Sequence, residues 1–191
     1  MGFTRAELES FRDVEVPDLV GPSLKLLFVG INPGLWTAAT STHFAHPGNR
    51  FYPALRRAGI IDREIDRGVG MSDHDRSHLL ERGIGITNLV ARATAKASEL
   101  SVDELREGGV RLRRFVEEHR PAVVAVAGIT AYRSAFGVRD AVAGRQPARF
   151  EGAELWVVPN PSGLNAHETV ESLAAAYRAP AEAAGLPDLS A

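Results

Sequence analysis

Four short apolar runs, separated by stretches that carry helix signals, constrain this chain more than anything else in it. The runs are Leu24–Val29, Gly85–Val90, Val123–Ala127 and Glu154–Pro159, and each reads as a strand of a buried sheet. Between them, Ser101-Val102-Asp103-Glu104 forms a capping box that opens a helix to about His119, where Arg120-Pro121 breaks it. Gly128 turns the chain after the third run, and Thr130 starts a helix that ends near Gly137. Asn49 caps a helix over Arg50–Ala58, residues 61–82 are polar and helical in pieces, and a last helix covers about Glu168–Glu182. Thr4-Arg5-Ala6-Glu7 is a further capping box, at the start of an N-terminal arm. Arg149-Phe150-Glu151 and Glu154–Pro159 flank Gly152-Ala153 and predict a hairpin whose second arm is the last core strand. Helices alternating with apolar strands define an α/β domain whose mainly parallel central sheet is covered on both faces. In such a sheet the ligand crevice lies beyond the carboxyl ends of the strands.

The totals narrow the chemistry. A chain of 191 residues suits one domain with a substantial core. It contains no cysteine, which removes disulfides, thiolate zinc sites, cysteine nucleophiles and cysteine-ligated iron–sulfur clusters. Net charge is −2, so any nucleic-acid site must rest on a local basic face rather than on the molecule as a whole. No apolar run approaches the length of a membrane span, and MGFTRAELESFRD contains no apolar signal segment. A cytosolic protein without a membrane partner is the expectation.

Two strand exits carry similar punctuation. The first run leads into Gly30-Ile31-Asn32-Pro33-Gly34, and the last leads into Asn160-Pro161-Ser162-Gly163-Leu164. If these strands are neighbours, both Asn-Pro segments face one crevice. The first segment belongs to residues 28–51, FVGINPGLWTAATSTHFAHPGNRF, which are predicted to be one long loop. Long ordered loops in compact domains are usually functional. Pro33 pushes Asn32 toward an extended backbone, and Gly30 and Gly34 let the chain approach a ligand closely. An asparagine amide donates and accepts but cannot remove a proton as a carboxylate does. The arrangement suits a reaction that needs a positioned water more than a strong base.

Gly30-Ile31-Asn32-Pro33-Gly34, followed by Phe44-Ala45-His46-Pro47-Gly48-Asn49-Arg50-Phe51, resembles the first motif of the mismatch-specific uracil/thymine-DNA glycosylases. Asn160-Pro161-Ser162-Gly163-Leu164 resembles their second motif. Gly83-Ile84-Gly85-Ile86-Thr87-Asn88-Leu89-Val90 and Leu105-Arg106-Glu107-Gly108-Gly109 are similar to the same family, and the order is kept over residues 24–178.

The resemblance implies a uracil-DNA glycosylase-like fold: a single three-layer α/β/α domain over residues 1–191. Residues 1–22 would be an N-terminal arm, 23–184 the core and 185–191 a tail. It also implies a monofunctional DNA N-glycosylase of base excision repair. Such an enzyme hydrolyses the bond between deoxyribose and a uracil, thymine or modified pyrimidine mispaired with guanine. Asn32 would position the water. Ile31, Gly34, Thr37, Phe44, Asn88 and Asn160 would form the base pocket. Phe44 would stack on the extruded base, backbone groups of Ile31 and Phe44 would read its edge, and Asn160 would hold the base or the backbone. Ser162, Gly163 and Leu164 would meet the opposite strand, with Leu164 as an apolar wedge in the gap left by base flipping. The expected partner is double-stranded DNA with a G·U or related mispair, and a monomer without metal or cofactor is expected. Where some members carry an acidic residue this chain has Ala91, which leaves no extra acid near the water. Where some carry arginine two residues beyond the wedge it has Ala166, a loss for which His167 or Arg92 could compensate.

Other readings of single residues are weaker. His43 and His46 form a His-x-x-His, and His74 and His78 stand four apart, but aspartate replaces the glutamate of the zinc-protease arrangement and no third ligand is evident. His46 is read instead as a hydrogen-bonding strut, and Phe51 as a core aromatic. Ser162 follows a strand on a tight turn that is not the Gly-x-Ser-x-Gly elbow of a serine hydrolase. Two other function classes stay open. One is a DNA-lesion binding module of the same fold with little catalysis. The other is an α/β enzyme for a free nucleoside or nucleotide, which would not need Leu164.

Overall fold

The computed structural model describes residues 2–190. Each apolar run forms a strand: β1 (Leu26–Gly30), β2 (Ile84–Asn88), β3 (Val123–Ala127) and, after the short β4 (Gly144–Arg145), β5 (Glu154–Val158). The spatial order is β2-β1-β3-β5-β4. All pairs are parallel except β4 with β5. β1, β2 and β3 are buried at every position, which is why they read as continuous apolar runs rather than as alternating ones.

Side chains along each strand point alternately to two helical layers. Leu26, Phe28, Ile84, Ile86, Val123 and Ala125 face one layer. It consists of α3 (Phe51–Arg57), α4 (Asp73–Glu81) and α7 (Val170–Ala183), which contribute Phe51, Leu55, Leu79, Leu173 and Tyr177. Leu27, Val29, Val124, Val126, Leu155 and Val157 face the other. That layer is α5 (Val102–His119) and α6 (Ile129–Phe136), through Leu112, Val116, Ala131 and Tyr132. The fold is a three-layer α/β/α arrangement with a mainly parallel sheet, as expected. Among the described residues, no helix is long and apolar enough to cross a membrane.

Two local expectations are corrected. Residues 28–51 are not one loop, because α2 (Leu35–Thr40) starts directly after Gly34. Its short sequence has weak intrinsic propensity, and the helix is held by packing. Leu35 and Ala38 are buried against Val16 and Ala93, beside Leu8 and Phe11 of the arm whose helix is α1 (Arg5–Glu9). The predicted hairpin arm at 149–151 makes only the bridge Phe150 to Ala153. Phe150 is turned into the core instead, and the antiparallel partner of β5 is β4, with Arg145 paired to Glu154 at 3.0 Å. The neighbour relation that the sequence left as a condition is not met, because β3 lies between β1 and β5. Their exits still meet. All three strands run the same way, and β3 passes through Gly128 straight into α6 on the far layer, which leaves the ground between the two exits clear. The chain leaves β1 toward β2 on one side and β3 toward β5 on the other, so a topological switch point lies between β1 and β3.

Candidate active site

A cleft of about 950 Å³ opens at that switch point. Ile31, Asn32, Gly34, Thr37, Phe44 and Asn88 line it from the β1 and β2 side, and Asn160, Ser162, Gly163 and Leu164 line it from the β5 side. The structure therefore brings to one cleft all the site residues that the resemblance nominated.

Asn32, Asn88 and Asn160 line the cleft together with Asn49 and Asn165, and each of the first three is oriented by what its other end bonds. The Asn32 Nδ2 donates to Thr94 Oγ1 at 2.8 Å and to the carbonyls of Arg92 and Pro33, both at 3.1 Å. Thr94 is buried and donates its own proton to the Lys96 carbonyl at 2.9 Å, so toward Asn32 it can only accept. The Asn32 Oδ1 has no hydrogen-bond partner among the described residues. Asn88 Nδ2 lies 3.1 Å from His43 Nδ1, and His43 Nε2 lies 2.9 Å from the Pro17 carbonyl. A carbonyl can only accept, so His43 carries its proton on Nε2 and accepts from Asn88 on Nδ1. This turns Asn88 Oδ1 toward the cleft. In Asn160 the assignment is reversed: Oδ1 accepts the Ser162 N–H at 3.0 Å, and Nδ2 remains free to donate. Among the described residues, the fully buried side-chain atoms lacking a partner are His78 Nε2 and Arg82 Nε, so neither amide oxygen is sealed away.

Phe44 forms one wall. It adopts φ +56° and stacks on Phe51, with centroids 4.1 Å apart and planes 26° apart. Phe51 is fully buried, so Phe44 has a rigid backing on one face and the cleft on the other. Gly30 is needed by this packing rather than by a ligand: a Cβ there would stand 2.4 Å from Asn88 Oδ1 and 3.3 Å from Phe44 Cζ. At Gly34 a Cβ would meet nothing within 4 Å, so that glycine borders open space. Thr37 is buried on α2. Leu164 is 87% exposed at the tip of its loop.

Among the described residues, no aspartate or glutamate lines the cleft. Arg92, which the sequence offered in place of an arginine at 166, is committed elsewhere: it pairs with Asp13 at 2.8 Å and Glu104 at 2.6 Å. Its hydrogen bond holds the Glu104 carboxyl at a pKa of about 2. His46 accepts the Gly48 N–H at 3.0 Å and packs edge-on against Trp36, as a strut within its loop. Thr94 and His43 orient Asn32 and Asn88, roles the sequence did not assign: His43 stood out only as half of a His-x-x-His. Both act on asparagines far away in sequence, so no pattern among neighbouring residues reveals the pairing.

Burial pushes the His43 pKa below its ordinary 6.5. Below that value the unfolded ring takes up a proton that the native ring resists, so stability is full above it and falls as pH drops toward the native pKa. Between pH 7 and pH 5 the protein is expected to lose stability, and His43→Gln to lose less, as read by urea denaturation at each pH. His78, also lowered by burial, contributes in the same direction and is retained in the variant.

A three-layer α/β/α domain with its cleft at the switch point of a mainly parallel sheet defines a doubly wound α/β protein. It matches the solution NMR structure of a Methanosarcina acetivorans protein provisionally named a uracil DNA glycosylase. The TM-score is 0.57, with 18% identity over 86% of this chain and 96% of that one, a likeness of fold. Residues 17–181 match the Uracil DNA glycosylase superfamily, and the chain belongs to that superfamily. Its members are DNA glycosylases, hydrolases that act on DNA.

Proposed function

We propose that the protein is a monofunctional DNA N-glycosylase that releases uracil mispaired with guanine, with thymine or modified pyrimidines as further substrates. The observation that carries this reading is the orientation of Asn32. Its donors are consumed by Thr94, Arg92 and Pro33, so the cleft is offered an acceptor that can hold a water by one of its protons.

In this reading the uracil leaves the stack, at a cost that a mispair reduces, and lies against Phe44. Asn88 Oδ1 accepts from its N3–H, and the Phe44 backbone N–H, which has no acceptor among the described residues, donates to its edge. The bond between C1′ and the base breaks with its electron pair leaving on uracil, and the sugar takes on oxocarbenium character. Donors from Asn160 Nδ2 and the backbone stabilise the departing anion. The water at Asn32 adds to C1′ and gives up its proton to solvent or to the uracil anion. Without a carboxylate in the cleft, the sugar cation gains little electrostatic support, so slow turnover and a preference for good leaving groups are expected.

The test uses labelled duplexes with one G·U, G·T, A·U or ethenocytosine site, followed by alkaline cleavage of abasic products. Product from G·U supports the glycosylase. Tight binding without product supports the lesion-binding module, the second reading that the carboxylate-free cleft favours. Leu164→Ala separates the glycosylase from a nucleoside enzyme. Leu164 is 87% exposed, so its loss should change stability by less than about 0.5 kcal/mol. Release from the duplex should fall about tenfold or more, because nothing then fills the gap. Release from a single strand should fall far less, and a nucleoside enzyme would be unaffected.

A further inference from the structure

We propose that Arg50 is a positioning residue that sets where Leu164 stands before DNA arrives. The inference rests on the glycosylase reading above. Leu164 is 87% exposed, so no side-chain packing can fix it, and its place is set by its backbone. That backbone is held from outside its own loop. Arg50 Nη2 donates to the Ser162 carbonyl at 2.8 Å and to the Asn165 carbonyl at 2.7 Å, the residues that bracket Gly163 and Leu164. Its Nη1 donates to the Glu168 carbonyl, and its backbone N–H donates to the Pro161 carbonyl at 3.0 Å. On the adjoining flank Gly163 touches Gly48, where a Cβ at Gly163 would stand 2.6 Å from the Gly48 carbonyl oxygen. The segment Gly48–Arg50 of the first motif therefore grips the second motif along both sides of its tip.

The chemistry explains why the residue is arginine. A planar guanidinium offers five donors in a fixed fork, enough to reach several carbonyls at once. Charge-assisted hydrogen bonds are about twice as strong as neutral ones. Among the described residues no carboxylate pairs with Arg50, so the clamp works without placing negative charge at a surface that must meet DNA phosphates. A wedge ordered in advance spares the ordering cost at the moment of binding.

The experiment compares single-turnover uracil release from a G·U duplex with release from the same strand alone. It uses wild type, Arg50→Met, Arg50→Lys, Leu164→Ala and the double variant Arg50→Met/Leu164→Ala. The duplex-to-single-strand ratio is expected to fall about tenfold in Arg50→Met, and less in Arg50→Lys, which keeps the charge but not the fork. The double variant should show no lower ratio than Leu164→Ala, because Arg50 acts through Leu164. Backbone amides of residues 162–168 should exchange hydrogen faster in both Arg50 variants, and if Arg50→Met does not fold, Arg50→Lys decides. A wild-type ratio or wild-type exchange in the folded Arg50 variants overturns the inference, as does an additive double variant. A wild-type protein that releases uracil from neither substrate overturns the glycosylase reading instead, and this inference with it.

Discussion

With Asn32 replaced by alanine, uracil release from a G·U duplex is expected to fall by about a hundredfold or more, with little change in duplex binding. The alanine removes the amide oxygen proposed to hold the water, while Phe44, Asn88, Asn160 and Leu164 still line the cleft. Asn32→Asp sharpens the test. A carboxylate is a better base, but the oxygen that replaces Nδ2 would face the carbonyls of Arg92 and Pro33 with no proton to offer. Unpaired acceptors of this kind cost about 1–3 kcal/mol each, so the aspartate should turn away or weaken the fold, and activity should stay low. Single-turnover release at saturating enzyme reads both. Full activity in Asn32→Ala would end the water-positioning role.

The second large effect is expected from Phe51→Ala. Phe51 is fully buried, meets Phe28 edge-on at 5.0 Å and carries Phe44 on its face. Truncating such a ring costs about 3–5 kcal/mol. For a chain of this size that lowers the melting temperature by on the order of 10 °C. Phe44 would lose its backing at the same time, so substrate affinity should fall in protein that is still folded. Phe51→Leu, which refills most of the volume, should recover much of the stability but not the flat support. Thermal denaturation and KM on the G·U duplex, measured on both variants, separate the two roles.

The fold was legible because its strands are buried on both faces, so Val123–Ala127 and Leu26–Gly30 stand out as apolar runs whatever surrounds them. Capping boxes at Thr4 and Ser101 marked helix starts for the same local reason. The misses share one cause. Leu35–Thr40 is helical because Leu35 and Ala38 find Val16 and Ala93, and Phe150 leaves the hairpin for the core. Neither contact leaves a trace in neighbouring residues.

The same division runs through the site. The order of residues alone determined that two asparagine-bearing turns follow apolar strands, because proline, glycine and asparagine restrict the backbone through bonds and sterics that act over a few positions. Only the tertiary structure decided that these turns meet across β3, that Thr94 and His43 dictate which end of Asn32 and Asn88 reaches the cleft, and that Arg50 holds the tip bearing Leu164. Hydrogen bonds between residues far apart in sequence depend on distance and direction in space, and packing sets both.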